Sequence, residues 1–543
     1  MRAISDVAAD LGLSSTDYEV FGSWAAKLTP QCAFREEAPP ASSRLVLVSA
    51  INPTPAGEGK TTVSIGLTQA ARQLGIKAAA ALRQPSQGPV FGVKGGGTGG
   101  GRSILVPSER INLHFTGDIH AVTAAHNLLA ALADNETYFN GGKLDPRQIT
   151  WRRALDMNDR FLRKAIIGLG GKASGVPREA AFDITAASEV MAILCLSRDY
   201  GDLKRRLGEI IVGEGEKGVV RAKDLRAEGA MAALLRDALL PNIVQTVEGA
   251  PALVHGGPFG NIAHGCNSIV ATKAALRCAD VVFTEAGFGF DLGAEKFLDI
   301  KCRAAGLWPN TMVLVATVRA LKMHGGATLA DMAKEDHAAL ERGMANLDKH
   351  IESVRAFGLE PTVALNVRHD DPPGELARVT DMLRERGVAS GTADVFARGG
   401  EGALELVEQV VHKARASKPE PKFLYELSDT PEQKIGKVAR TVYGAKDVEF
   451  SPAAKTQLAR AVSLGYGELP VCMAKTHLSL SDDAKRVGRP RDFTMSVREV
   501  RISAGAGFLV ALTGEIMTMP GLPKVPQSNE IDLTPDGEIV GVK

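Results

Sequence analysis

Six short apolar runs punctuate the chain: RLVLVS from Arg44, IKAAAAL from Ile76, DVVFTE from Asp280, TMVLVAT from Thr311, TVALNV from Thr362 and LPVCMAK from Leu469. Their apolarity is continuous rather than alternating, which suits strands covered on both faces of a parallel sheet. Between them, apolar positions recur at helical spacing. Val63, Leu67, Ala70, Ala71 and Leu74 share one helix face before Gly75, and Met231, Leu234, Leu235 and Leu239 share another before Pro241. Gly and Pro at those points are helix stops. Strands alternating with helices predict an α/β fold with a mostly parallel sheet and right-handed crossovers.

Two proline-bearing polar stretches, VRHDDPPGE at 367–375 and KARASKPEPKF at 413–423, interrupt this alternation. They suggest a large N-terminal domain (1–335), a middle domain (336–440) and a C-terminal domain (441–543). The last stretch, MPGLPKVPQSNEIDLTPDGEIVGVK, has too many prolines for regular structure and is expected to lie over the surface.

Composition narrows the field by exclusion. With 64 Lys+Arg against 63 Asp+Glu the formal charge is +1, which gives no reason to expect nucleic-acid or membrane-surface binding. The 543 residues exceed what one core normally serves. The six cysteines form no C-x-x-C pair, so a reduced, cytoplasmic setting is expected. The N-terminus MRAISDVAADLGLSS lacks the apolar run of a signal peptide, and no window has the roughly 18 apolar residues of a spanning helix.

Chemistry enters with TPAGEGKTT, residues 54–62, between an apolar run and a helix. Gly57 and Gly59 let the loop turn its N–H groups inward onto an anion at the helix N-terminus. Lys60 is placed to reach nucleotide phosphates, and the Thr61 hydroxyl to ligate their Mg²⁺. The predicted nucleotide loop is Thr54, Pro55, Ala56, Gly57, Glu58, Gly59, Lys60 and Thr61. Thr54 stands where the usual signature has glycine. Arg83 follows the second apolar run, at a strand end suited to holding a phosphate or carboxylate. The glycine run 95–101, broken only by Thr98, either links flexibly or lets backbone approach a ligand. Asp118 lies in INLHFTGDIHA with His114 and His120, and His126 follows. That density invites zinc, but the spacing fits no zinc pattern, and Asp118 is the more interesting residue. VHGGPFGNIAHGCNS (254–268) and TEAGFGFDLGAEKF (284–297) are further glycine-rich loops at strand ends.

Taken together, these segments resemble the formate–tetrahydrofolate ligases, also called 10-formyltetrahydrofolate synthetases, from about residue 40 to the C-terminus. The resemblance is carried by TPAGEGKTT, GPVFGVKGGGTGGG, INLHFTGDIHA, DMNDR, SEVMAILCL, EGAMAALL, VHGGPFGNIAHGCNS, TEAGFGFDLGAEKF, LPVCMAKT and SAGAGFLVALTGEIMTMPGLPKVP. A threonine heading the phosphate loop is that family's own form of the motif. The resemblance implies a P-loop-type core in which ATP phosphorylates formate and the N10 amine of tetrahydrofolate takes the formyl group. It implies that Lys60 and Thr61-bound Mg²⁺ neutralise phosphate charge, that Arg83 holds formyl phosphate, and that Asp118 lies near it. It assigns the nucleotide to 1–335 and part of the folate site to 336–440. It also implies a homotetramer activated by K⁺ or NH₄⁺.

Three departures from the family pattern stand out. Gln84 follows Arg83 where a glutamate is usual. NVRHDD puts Arg368 at an aromatic position of the pterin loop and His369 at a proline. Phe396, in VFARGGEG, replaces the usual tryptophan. Phe396 can still stack on a flat pterin ring, and Arg368 can do so through its planar guanidinium. These changes leave open a formyl-phosphate-forming enzyme with another amine acceptor. A partner-binding switch ATPase would rest on the G-K-T-T ending alone, without the cysteine pair or metal cluster such proteins often carry.

Overall fold

The computed structural model describes residues 1–543 apart from 93–95, 140–142, 329, 515 and 543. Its largest feature is a twelve-stranded sheet. Ten of the strands form one path: β1 (Tyr18–Phe21), β2 (Ala25–Leu28), β3 (Arg44–Ala50), β4 (Ala78–Leu82), β5 (Asn242–Thr246), β6 (Pro251–Val254), β7 (Val281–Glu285), β8 (Thr311–Ala316), β9 (Pro361–Asn366) and β10 (Ser390–Ala393). Their spatial order is β1-β2-β5-β6-β4-β7-β3-β8-β9-β10. From β6 to β10 every pairing is parallel, whereas the pairings among β1, β2, β5 and β6 are antiparallel. A short hairpin, Gly99–Gly100 with Ser103–Val106, joins the sheet against β5.

Continuous apolarity has the predicted cause. Along β3, Leu45 and Leu47 enter one core while Val46 and Val48 enter another on the opposite face, all four essentially inaccessible. Each such side chain contributes about 1.5–3 kcal/mol relative to exposure. Five of the six apolar runs supply strands of this sheet. The sixth, Val471–Ala474, instead pairs in parallel with Phe508–Leu512, in a separate three-stranded sheet completed by Glu499–Ser503. Strands β9 and β10 join the main sheet although they lie beyond residue 335.

The helix after β3, α1 (Lys60–Gln73), buries Val63, Leu67, Ala70 and Ala71, while Leu74 already turns outward at its end. The second helical face differs from expectation. The α-helix stops at Leu234, which is exposed, and a separate tight turn at Asp237–Leu239 returns Leu239 to the core beside Met231 and Leu235. The C-terminal stretch runs over the surface, and its strands among the described residues are the exposed two-residue pair Asp532–Leu533 and Ile539–Val540. Among the described residues no helix is long and apolar enough to cross a membrane, and all six cysteines are unbridged.

Candidate functional site

Sheet order places the phosphate loop at a crevice. From β3 the chain crosses through α1 to β4, and β7 lies between those two strands while β8 flanks β3 on the other side. Ligands of open α/β sheets gather outside the carboxyl ends of strands at such a point. A cavity of about 290 Å³ opens there.

The loop is shaped by a glutamate folded back into it. Glu58 is 1% exposed. Its Oε1 accepts from the Thr54 backbone N–H at 2.7 Å, and its Oε2 accepts from the Thr317 hydroxyl at 2.5 Å. Thr317 also caps α2 (Val318–His324), accepting from the Ala320 N–H at 3.0 Å. Thr54 is therefore buried with its N–H committed to the loop, and the Gly57 N–H donates to the Thr54 carbonyl at 2.9 Å. Gly59 caps α1 at φ +73°, and a Cβ there would lie 2.4 Å from the Asn366 amide nitrogen. Both the positive φ and the close approach require glycine at that position. Asn366 Nδ2 donates to the Glu58 carbonyl at 3.0 Å, and Arg368 Nη2 to the Gly57 carbonyl at 3.2 Å.

Lys60, Thr61, Arg83 and Glu285 face this cavity together. Lys60 is half-buried, and desolvation pulls its ammonium down to about 8, with nearby Glu285 opposing the shift and Arg83 adding to it. Arg83 leaves the end of β4, and Glu285 ends β7. Glu285 Oε2 accepts from the Thr61 hydroxyl at 2.6 Å, and its Oε1 lies 3.5 Å from Arg83 Nε. Gln84 also lines the cavity. Its N–H donates to the Gly256 carbonyl at 2.7 Å, while its buried Oε1 has no hydrogen-bond partner. Gly257 and Phe259 from the 254–268 loop, and Glu285 and Phe288 from the 284–297 loop, complete the wall. Of the predicted nucleotide loop, Thr54, Ala56, Gly57, Glu58, Gly59, Lys60 and Thr61 line the cavity, and Pro55 is exposed outside it.

The glycine run is ordered wherever it is described, although Gly95 lies outside the described residues. Gly96, Gly97 and Gly99 line the cavity, and the Gly97 N–H donates to Asn112 Oδ1 at 2.9 Å. Phe396 lies across the far end of the run. Its carbonyl accepts from the Arg102 N–H at 2.8 Å, and a Cβ on Gly101 would meet that carbonyl at 2.1 Å. The residue as a whole is 59% exposed. His369 projects into solvent, and Arg368 turns its guanidinium onto the phosphate loop.

Asp118 is placed differently from Lys60 and Arg83. It does not line the cavity. Its Oδ1 is 2.8 Å from Lys27 Nζ and its Oδ2 accepts from Asn242 Nδ2 at 2.7 Å, all three groups being buried. His114 and His120 face each other with ring nitrogens 2.8 Å apart, whereas His126 bonds Ser188 and the Arg152 carbonyl and stacks on Trp151. Among the described residues no group of three or more His, Cys, Asp or Glu side chains is gathered for a metal.

A larger cavity, about 720 Å³, lies between helix Glu189–Leu196 and the C-terminal strands. Its arginines are largely paired, Arg152 with Asp183, Arg178 with Asp134, Arg460 with Glu214 and Arg501 with Glu499. Among the described residues none lines both cavities, and the phosphate loop belongs to the smaller one.

Sequence reasoning overlooked Glu285, Thr317 and Asn366. Glu285 and Asn366 share one signal, a polar residue closing a continuous apolar run. Thr317 directly follows such a run and precedes a helix, an N-cap position.

The chain is similar throughout to known proteins. Residues 1–543 match the family model described as formate–tetrahydrofolate ligase. A protein of that name from Myxococcus xanthus (strain DK1622) is 56% identical over 547 residues, covering 100% of this chain and 99% of the relative. Another of the same name from Symbiobacterium thermophilum is 56% identical over 546 residues, covering 100% and 98%.

Proposed function

The chain belongs to the formate–tetrahydrofolate ligase family, an enzyme that joins formate to tetrahydrofolate, and from that premise we propose a two-step reaction in the small cavity. ATP phosphorylates formate to formyl phosphate, and the N10 amine of tetrahydrofolate displaces phosphate to give 10-formyltetrahydrofolate, ADP and phosphate. Formate is a poor acyl donor until its oxygen becomes a phosphate leaving group. Catalysis then consists of in-line positioning and neutralisation of charge.

The observation that carries this reading is the convergence of Lys60, Thr61, Arg83 and the α1 N-terminus on one cavity. Lys60 and the loop N–H groups bind the nucleotide phosphates, and Arg83 holds the transferred group. Thr61 and Glu285 offer a hydroxyl and a carboxylate, the hard oxygen donors that suit Mg²⁺. When bound, Mg²⁺ supplies charge neutralisation at the phosphates. The Asp118 contacts with Lys27 and Asn242 support a scaffold role, fixing the start of helix Asp118–Phe139. The exposed Phe396 supports a pterin platform, with Arg368 and His369 just beyond the end of the neighbouring strand β9.

A different amine acceptor is the second reading. It is favoured by the Arg368 guanidinium, which is engaged with Gly57 where the family presents a flat ring. Activation by K⁺ or NH₄⁺, the functional division at 335 and 440, a cytoplasmic setting and a homotetramer remain parts of the proposal. Exposed Phe161, Ile166, Leu169 and Val176, gathered on and beside the hairpin Ala165–Ile167/Arg178–Ala180, support self-association.

ADP release with Mg-ATP and K⁺, adding formate and tetrahydrofolate singly and together, tests the reaction. Release that needs both, with equimolar 10-formyltetrahydrofolate, is expected. Release with formate alone, indifferent to tetrahydrofolate, would establish the second reading instead.

A further inference from the structure

An amine that displaces phosphate must give up a proton, and the lining of the small cavity is short of groups to take it. Glu58 and Glu285 are its acidic residues. Glu58 accepts from Thr54 and Thr317 with its two oxygens, and Glu285 is committed to Thr61 and Arg83. Gln84 is neutral, and Lys60 is occupied by the nucleotide phosphates. A further carboxylate stands one layer behind the lining. Ser86 is buried and lines the cavity. Its hydroxyl donates to Asp156 Oδ1 at 2.5 Å, and the Gln87 N–H donates to Asp156 Oδ2 at 2.9 Å. Asp156 follows the short strand Arg153–Leu155 and is itself buried. Two residues on, Asn158 Nδ2 steadies the same wall by donating to the Gly88 carbonyl at 3.0 Å.

We propose that Ser86 and Asp156 form the proton relay of the formyl-transfer step, Ser86 meeting the amine and Asp156 acting through it. The inference rests on the two-step reading above. The single Ser86 proton is turned toward Asp156, so the lone pairs of its oxygen are left as acceptors. As the N10–C bond forms and the formyl C–O bond to phosphate breaks, the N10 proton passes to Ser86 Oγ while the Ser86 proton passes to Asp156. It then returns through Ser86 to the departing phosphate, which leaves both side chains as they began. The wall that carries Ser86 also leads to the pterin platform. Pro85 packs on Gly97, where a Cβ would lie 3.1 Å from the proline Cβ, and the Phe396 ring packs on Gly100 at the same distance. Burial raises the Asp156 carboxyl above its ordinary value, with the Ser86 and Gln87 hydrogen bonds and the charge of His120 opposing. A carboxylate shifted in that direction is the better proton acceptor near neutral pH.

The test separates the two steps in the parent, Asp156→Asn and Ser86→Ala. Formate-dependent scrambling of ¹⁸O from the β–γ bridge of ATP, without tetrahydrofolate, reports phosphorylation. Rapid-quench formation of 10-formyltetrahydrofolate in a single turnover reports transfer. We expect both variants to scramble ATP, and to bind tetrahydrofolate, within about threefold of the parent. Their transfer rates should fall about 10²-fold, the lower range for a lost general base. The parent's transfer rate should also decline in acid as Asp156 takes up a proton, and Asp156→Asn should lose that limb of the profile. Ser86→Ala serves if the Asn variant does not fold. Transfer within about threefold of the parent in either variant, or an acid limb that survives in Asp156→Asn, would overturn the relay. So would scrambling and transfer that fall together, which would mean that the pair only shapes the cavity. A parent that scrambles no ATP with formate would instead overturn the two-step reading beneath it.

Discussion

Asn366 Nδ2 donates to the Glu58 carbonyl at 3.0 Å, so the last residue of β9 is bonded directly to the phosphate loop. The same amide fills the space above Gly59, where a Cβ would come within 2.4 Å of it. Gly57 has a similar φ, +78°, but open space around its Cα. Alanine at either position strains the backbone by about 1–2 kcal/mol. Only Gly59→Ala also displaces Asn366. We expect it to weaken ATP binding at least tenfold, and Gly57→Ala clearly less. Equal losses, measured by calorimetry, would show that the Asn366 contact is immaterial.

Lys60 is half-buried and its charge is disfavoured by desolvation, so the side chain is held there at some cost to the fold. Lys60→Met should therefore leave the melting temperature unchanged or slightly raised. It should lower kcat by about 10²–10³, the typical loss of one donor to developing charge. Arg83→Lys keeps a charge but not the planar fork, and should lie between. A Lys60→Met variant of normal kcat would remove Lys60 from the phosphate site.

Much of this was legible beforehand, for a physical reason. Strands buried on both faces leave continuous apolar runs, and a phosphate loop needs glycines at a strand–helix junction, so β3, the loop and α1 were all readable. The partners of that loop were not. Glu58 looks like a solvent-facing loop residue until its donors, Thr54 and Thr317, are seen 4 and 259 residues away. Asn366 and Glu285 owe their positions to strand order, which periodicity does not encode. Leu234 was misjudged because a helical face was extended through a break that only packing dictates.

Glu58→Ala should cost about 1–3 kcal/mol, because it leaves the Thr54 N–H buried without an acceptor. Urea unfolding measures this. Glu58→Gln keeps one acceptor oxygen for Thr54 and can donate to a reoriented Thr317 hydroxyl, so it should lose less. Equal stability of all three proteins would mean that the loop repacks around water.

Phe396 separates folding from substrate binding, because the residue is mostly solvent-exposed. Phe396→Ala should shift the melting temperature little. Loss of aromatic stacking worth about 1 kcal/mol should raise the tetrahydrofolate KM roughly fivefold. Formate and ATP values should stay near those of the parent. An unchanged tetrahydrofolate KM would exclude Phe396 as the pterin platform.

Glu189 gives stability a pH dependence outside the small cavity. Its Oε1 accepts from the Gly505 and Ala506 N–H groups at 2.8 and 3.2 Å. Burial nevertheless outweighs these donors and pushes its carboxyl up from 4.5 to about 7. Between those two values the folded chain keeps a proton that the unfolded chain has released. The stabilising contribution is thus complete below about 4.5 and is lost as pH rises to about 7. Glu189→Gln holds a neutral group of the same shape against the same two donors, so it should not share this loss. We expect parent and variant to melt together near pH 5. By pH 8 the variant should melt higher by about 2 °C or more, the size expected for roughly 1 kcal/mol. A gap that is the same at both pH values would mean that Glu189 titrates normally in the fold, its two N–H donors and nearby solvent having compensated its burial.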